Sequence, residues 1–122
     1  MKKMASICTG LLLLLSTSVF AEEHAAAALE HANAAVVQGE AGQTPILLEH
    51  ANAALVHTLA ASKVPKGLPK NHLAAAAKEL QESIDLGNLG HVGSATPHAE
   101  AAVKHIKIGN KYMGSVENIQ RP

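Results

Sequence analysis

Apolar residues recur along the first half of the chain at the spacing of an amphipathic α-helix. In segment 22–38, Leu29 and Val36 lie seven residues apart, and the segment stops at Gly39, which suits a left-handed helix cap. Thr44 can cap a second segment that runs to about residue 62, whose apolar positions on one side are Leu48, Leu55 and Leu59. The pattern predicts two helices joined by a short turn.

The second half of the chain repeats this arrangement after a linker. Residues 63–70 read KVPKGLPK, and two prolines with a glycine cannot continue a helix. Asn71 can cap a third helix that breaks at Gly87 and has Leu73, Leu80 and Ile84 as its apolar positions. A fourth helix is predicted from residue 91 or 94 to Ile108, and residues 109–122 are assigned to a C-terminal tail without a clear period.

Two internal repeats show how the four helices are related. The heptapeptide LEHANAA occurs at residues 29–35 and again at 48–54, and an offset of 48 residues aligns Gly39-x-x-Gly42 with Gly87-x-x-Gly90. We therefore predict an all-α fold in residues 22–108, an antiparallel up-down four-helix bundle made of two duplicated helical hairpins. Alanine supplies much of the apolar surface, so we expect a thin core and modest stability.

The first 21 residues have the features of a secretory signal peptide. Lys2 and Lys3 form a charged start, an apolar run with Leu11–Leu15 follows, and Val19-Phe20-Ala21 supplies a small-x-small cleavage pattern. No segment approaches the roughly 18 apolar residues that a membrane span needs. We expect export, cleavage before Glu22 and no membrane span in the remaining chain.

The composition of the chain after residue 21 restricts its chemistry. The single cysteine, Cys8, lies in the signal peptide, so thiolates and disulfides are not available and a metal site must use imidazole, carboxylate or backbone oxygen. Without Lys2 and Lys3, 8 basic residues face 10 acidic ones, which gives no footprint for nucleic acid. Tyr112 is the only aromatic residue left, so stacking platforms for bases are not expected.

Histidines are spaced regularly in the chain. All eight lie after residue 21 and are separated by seven residues within each predicted helix except the third: they are His24, His31, His50, His57, His72, His91, His98 and His105. Seven residues return a side chain to nearly the same helix face, here outward or sideways from the leucine and valine positions, but about 10 Å further along. Two nitrogens on one metal must lie within about 4 Å, so neighbours along one helix cannot share an ion.

Histidines of neighbouring helices, in contrast, come to matching heights. In an antiparallel hairpin, residues at one level have numbers with a constant sum, and both His31 with His50 and His24 with His57 add up to 81. In the second hairpin, both His72 with His105 and Glu79 with His98 add up to 177, so Glu79 stands where a histidine would otherwise fall. Four interhelical two-ligand sites are predicted, whereas His91 lies beside a glycine turn and has no evident partner.

These observations favour an exported protein that binds divalent transition metals. Neutral imidazole suits copper(II), nickel and zinc, and copper is favoured by the usual order of affinities. The metal ligands predicted are His24, His31, His50, His57, His72, Glu79, His91, His98 and His105. We expect a monomer. We also expect that it is not an enzyme, because no nucleophile constellation, haem-attachment motif or ExxH pairing occurs in the sequence.

The sequence also resembles the small metal-binding protein family of exported, histidine-bearing four-helix bundles. The resemblance rests on LEHANAAVVQGEAG, LLEHANAALVH and LGHVGSATPHAEAAVKH, and covers most of the chain after residue 21. It implies binding of several divalent metals, copper included, and a role in periplasmic metal scavenging, buffering or tolerance. The chain departs from the family in having fewer histidines, with Asn33 and Asn52 among the ligand-bearing stretches and Gln43 where the duplicate has His91.

A second hypothesis remains open. The same bundle could be an exported structural or partner-binding protein whose histidines provide only solubility or a response to pH, since imidazole becomes charged near pH 6.5. Both hypotheses predict the same fold, and they differ in whether the histidine pairs bind metal.

Overall fold

The computed structural model describes residues 17–63 and 65–120, and the side chains of residues 20–63 and 65–113. Four helices account for nearly all of this part of the chain. They are α1 (Thr17–Glu40), α2 (Thr44–Ala61), α3 (Leu68–Asn88) and α4 (Val92–Gln120). The predicted all-α fold is confirmed.

The helices form an up-down bundle in which consecutive helices are neighbours. The most extensive contacts are made within the hairpins α1–α2 and α3–α4, and α1–α4 and α2–α3 close the bundle between them. The helices that lie diagonally opposite each other make few contacts. The two hairpin interfaces are therefore on opposite sides of the bundle, which confirms the prediction of two packed hairpins.

Alanine dominates the core, as the composition predicts. Every hydrophobic residue of α1 that is buried in the described part of the chain is an alanine: Ala21, Ala25, Ala28, Ala32 and Ala35. The larger buried side chains come mainly from the other helices and include Leu47, Leu73, Leu80 and Ile106. Small side chains allow two helix axes to approach closely, since interaxial distance depends on the side chains at the contact.

The apolar stripe predicted for α2 is displaced from the real one. The buried positions of α2 are Leu47, Ala51, Ala54, Thr58 and Ala61, whereas Leu48 and Leu55 are partly buried at the edge of the core. Leu59, which we expected to face inward, is 50% exposed. The prediction places the bulkiest residues in the core. In the structure, alanines occupy the centre of this interface and these leucines lie at its margins.

The helix before each hairpin turn ends in the same type of C-terminal cap, and its capping glycine lies three residues later than predicted. The helix-capping residues with positive φ are Gly42 (75°) and Gly90 (81°), not Gly39 and Gly87. The amide of Gln43 donates to the Gln38 carbonyl at 2.8 Å, and the amide of His91 donates to the Leu86 carbonyl at 2.9 Å, which are the six-to-one bonds of a Schellman motif. The duplication therefore extends to the hydrogen bonds of the turns.

Gly39 and Gly87 are needed for close packing. Both are buried inside helices, and a methyl group on Gly39 would collide with the Thr96 side chain and lie 2.7 Å from Leu47 Cδ1. On Gly87 it would lie 2.8 Å from Leu48 Cδ2. In each Gly-x-x-Gly pair, the first glycine allows a neighbouring helix to pack closely, and the second glycine caps the helix that contains the first.

Replacement of Gly39 by alanine should destabilise the bundle. Overpacking of a filled interface costs about 1–3 kcal/mol, which outweighs the roughly 1 kcal/mol that alanine gains in helix propensity. Gly93→Ala is the matched control, because Gly93 is also helical and has no atom within 4 Å of the added carbon. Urea denaturation should show a lower free energy of unfolding for Gly39→Ala than for Gly93→Ala; equal values would contradict the packing role.

Two further helix ends differ from the sequence-based prediction. α3 begins at Leu68, before the predicted cap Asn71, because Gly67 (φ 69°) turns the chain and Pro69 is accepted in the first helical turn. α4 continues past Ile108 through most of the predicted tail. Met113 is buried in a cluster with Ala25, Ala61 and Leu73, so the tail residues up to this point pack on the bundle.

Of the predicted signal peptide, residues 1–16 lie outside the described part of the chain, and α1 runs through the predicted cleavage position between Ala21 and Glu22. Within residues 17–63 and 65–120, no helix is both long and apolar enough to cross a membrane.

Candidate metal centre

Eight of the nine predicted ligands occupy one position of the helical repeat. Each of eight residues directly precedes a core residue that is at most 1% exposed: His24, His31, His50, His57, His72, Glu79, His98 and His105. Their side chains are themselves half-buried. This position lies at the margin of a helix–helix interface, so the side chains point sideways toward the neighbouring helix of the same hairpin.

In the first hairpin, the structure brings together both histidine pairs that the matching heights predict. The Nδ1 atoms of His24 and His57 are 3.0 Å apart, and those of His31 and His50 are 3.2 Å apart. In each pair one ring donates its Nδ1–H to the Nδ1 of the other. The pairs thus link α1 to α2 on one side of the bundle.

The second hairpin has one imidazole pair and one mixed pair. The Nδ1 atoms of His72 and His105 are 3.1 Å apart. His98 Nδ1 lies 2.7 Å from Glu79 Oε2, and the two side chains remain 38% and 28% exposed. These pairs link α3 to α4, so each side of the bundle that contains a hairpin interface carries two of the four predicted pairs.

The three imidazole pairs have the spacing of two ligands on one ion. With metal–nitrogen bonds of about 2.0 Å, two bound nitrogens lie roughly 2.8 Å apart at a right angle and about 3.3 Å apart at a tetrahedral angle. The observed separations of 3.0, 3.1 and 3.2 Å fall between these limits. With the proton of the donor ring on Nε2 instead, both Nδ1 atoms would have a free lone pair and could coordinate one ion without a change of backbone position.

The four histidines of the first hairpin form a continuous row. His31 also stacks on His57 of the other pair, with ring centroids 5.6 Å apart and an angle of 4° between the planes. Nearly parallel rings at this separation present their faces to each other, while their nitrogens face the partners in their own pairs. The stack therefore joins the two pairs without making a third chelate.

The seven-residue series on α4 ends with an aromatic residue that the sequence analysis did not assign to the site. Tyr112 follows His105 by seven residues and stacks on His72, with centroids 6.3 Å apart and an angle of 13°. The sequence-based prediction places it in the tail, because no apolar period is evident after Ile108. The seven-residue series His91, His98, His105 was the signal that could have identified it.

His91 is placed differently from the other histidines. It is exposed, and its backbone amide caps the turn between α3 and α4. At its height the facing residue is Leu86, just as Gln38 faces Gln43 in the first hairpin. The structure thus gives His91 no partner among the other predicted ligands, and its role as a ligand stays a prediction.

One histidine of the site has a lowered pKa, and each bound ion would have few protein ligands. Burial, and then the charges of His24 and His31, lower the pKa of His57, which favours the neutral imidazole that metals require. In the part of the chain with described side chains, no three histidine, cysteine, aspartate or glutamate residues are grouped closely enough to hold one ion. Each pair would leave coordination positions for water or another molecule.

A helical bundle with paired imidazoles at its hairpin interfaces defines a class of protein whose side chains could act as pairs of metal ligands. The chain belongs to the small metal-binding protein family: the family model with this description matches residues 1–109. Tyr112 lies beyond the matched region. A search of curated proteins finds no match to this chain.

Proposed function

We propose that this protein is exported to the periplasm and there sequesters or buffers copper, nickel or zinc through histidine pairs on neighbouring helices. The observation that carries the proposal is the Nδ1–Nδ1 separation of 3.0–3.2 Å in three interhelical pairs. Membership of the small metal-binding protein family supports metal binding. The charged start, apolar run and Val19-Phe20-Ala21 pattern support export.

The order of affinities favours copper(II) among these metals, and the small number of protein ligands favours reversible binding. Imidazole is a good ligand for copper(II), nickel and zinc, and for one set of ligands copper(II) has the highest affinity in the divalent series. Two protein ligands per ion leave the other positions to water, which suits a protein that releases its metal again. A buffering protein needs this reversibility, whereas a structural site is closed by four protein ligands.

Metal titrations at two pH values test the proposal directly. At pH 7.5, calorimetric titration should show binding in the order copper, then nickel and zinc, and near pH 5 the affinities should fall because protons compete for the imidazoles. Affinities no tighter than millimolar for all three metals would contradict the proposal. They would leave the structural or partner-binding bundle with pH-responsive histidines as the better explanation.

Tyr112 provides a site-specific signal for the second hairpin. The chain contains one tyrosine and no tryptophan, so tyrosine fluorescence reports on this residue alone. Copper(II) bound between His72 and His105 should strongly quench that fluorescence, because Tyr112 stacks on His72. The double variant His72→Ala/His105→Ala should lose the quenching at low copper concentration, whereas His24→Ala/His57→Ala should retain it. Equal quenching in both variants would place the copper elsewhere.

A further inference from the structure

The mixed pair of the second hairpin differs chemically from its duplicate. With the offset of 48 residues, Glu79 corresponds to His31 and His98 corresponds to His50. A carboxylate therefore stands where the first hairpin has an imidazole, at the same height and on the same edge of the interface.

The hydrogen bond between these side chains fixes the proton. His98 Nδ1 and Glu79 Oε2 are 2.7 Å apart, within the range of a short charge-assisted hydrogen bond. A carboxylate only accepts hydrogen bonds, so Nδ1–H of His98 is the donor. In a neutral imidazole with its proton on Nδ1, the lone pair that can bind a metal is on Nε2.

The imidazole pairs have no such constraint. The two rings are equivalent, and either can be the donor. When the donor ring changes by exchange with water to the form with its proton on Nε2, both rings stay neutral and two lone pairs face each other on the Nδ1 atoms. At the mixed pair, an ion between the side chains would have to displace the proton that the carboxylate holds. An ion at Nε2 leaves the hydrogen bond intact, and a carboxylate on the far nitrogen makes the imidazole a stronger ligand.

We infer that Glu79 is a positioning residue: it holds His98 in the Nδ1–H form, so that a divalent metal binds at His98 Nε2 with Glu79 outside the coordination sphere. This inference rests on the proposed function, because it assigns the coordinating atom of one predicted site. It divides the four pairs into three bidentate Nδ1 sites and one site with a single protein ligand. The remaining coordination positions at His98 belong to water or to an exchangeable donor from another molecule.

Nitrogen NMR of the whole protein tests the assignment atom by atom, with zinc as a diamagnetic probe. Long-range proton–nitrogen spectra should show His98 as the Nδ1–H form before zinc is added. Zinc should then shift His98 Nε2 and leave its Nδ1 protonated. In the same spectra, His31 and His50 are the internal control, and zinc should shift their Nδ1 resonances.

Variants at Glu79 separate a positioning role from a structural one. Glu79→Ala should weaken zinc binding at His98 by about 10- to 100-fold, as loss of a carboxylate behind a metal-bound histidine does elsewhere. Glu79→Gln should give a smaller loss and a mixture of His98 tautomers, because an amide can donate as well as accept. Glu79→His restores the pair of the first hairpin and should move zinc to His98 Nδ1.

Three results would overturn the inference while leaving the proposed function intact: a zinc-induced shift at His98 Nδ1 in the unmodified protein, unchanged affinity at His98 in Glu79→Ala, or a large zinc-induced shift of the Glu79 carboxylate carbon. If zinc shifts no imidazole resonance of the protein, the inference and the proposed function both fail.

Discussion

Two double variants with the same composition should differ in the number of copper ions that the first hairpin binds. His24→Ala/His57→Ala removes one pair and leaves the His31–His50 pair, whose Nδ1 atoms are 3.2 Å apart. His31→Ala/His57→Ala removes one member of each pair. The first variant should lose one tight copper site and the second should lose two. Each broken pair should bind about 100-fold more weakly or worse, because a second ligand on the same scaffold acts at high effective concentration.

The comparison controls for everything except pairing. Each variant loses one histidine from α1 and one from α2, and both gain two alanines at half-buried helical positions. Calorimetric stoichiometry at pH 7.5 is the measurement, and circular dichroism checks that both variants remain helical. Identical copper stoichiometry in the two variants would mean that the histidines bind singly, and the interhelical pair would then not be the functional unit.

A third variant separates the pairs from the stack that joins them. His24→Ala/His50→Ala leaves His31 and His57, whose rings are nearly parallel at 5.6 Å. Since parallel rings do not direct their nitrogens at a common point, this variant should also lose both tight sites. Retention of one site would show that the stacked rings rearrange into a chelate.

The fold was predictable because the duplication and the helix breaks are visible in the sequence itself. The offset of 48 residues and the glycine pairs were sufficient to place two hairpins, and the constant sums of residue numbers were sufficient to pair the histidines. Neither step needs knowledge of packing. The equal height of His72 and His105, for example, follows from antiparallel geometry alone, and the structure shows that their rings meet.

Features that depend on close packing were not predictable in this way. Alanine gives a weak hydrophobic signal, so the stripe in α2 was assigned to leucines that lie at the margin, and Leu59 is in fact exposed. The function of Gly39 as a contact point depends on Thr96, which is distant in sequence. The continuation of α4 depends on tertiary burial of Met113 rather than on local periodicity.

The chemistry of the site was predictable to the level of residue types. Spacing identified which side chains meet, but not which nitrogen each imidazole turns toward its partner. The stack of His31 on His57 and the hydrogen bond from His98 to Glu79 depend on side-chain rotamers, which a helical wheel does not contain. For this reason spacing alone predicts Glu79 as a ligand like the histidines, whereas the hydrogen bond to His98 is the basis on which we infer a positioning role for it.

Copper at a hundredfold excess over its dissociation constant should raise the melting temperature at pH 7.5 by on the order of 10–20 °C. One site filled to this degree adds about 2.7 kcal/mol to the free energy of unfolding, and each kcal/mol shifts the melting temperature of a small domain by about 4–8 °C. The bidentate pairs bridge α1 to α2 and α3 to α4, so unfolding separates the two ligands of each ion. Differential scanning calorimetry gives the shift directly.

The same stabilisation should disappear as the pH falls, and the metal-free protein sets the baseline. The pKa of His57 is lower in the folded protein than in the unfolded chain because of burial and the charges of His24 and His31. The unfolded chain therefore takes up this proton first, so the stability that neutral His57 contributes is present above its unfolded pKa and lost as the pH falls through the folded one. Near pH 5 the metal-free protein should melt at a lower temperature than at pH 7.5. Added copper should restore little of the difference, because protonated imidazoles do not bind it.

His57→Gln should reduce the pH dependence of the melting temperature of the metal-free protein. A copper-induced shift of equal size at both pH values would show that ligands other than imidazole hold the metal.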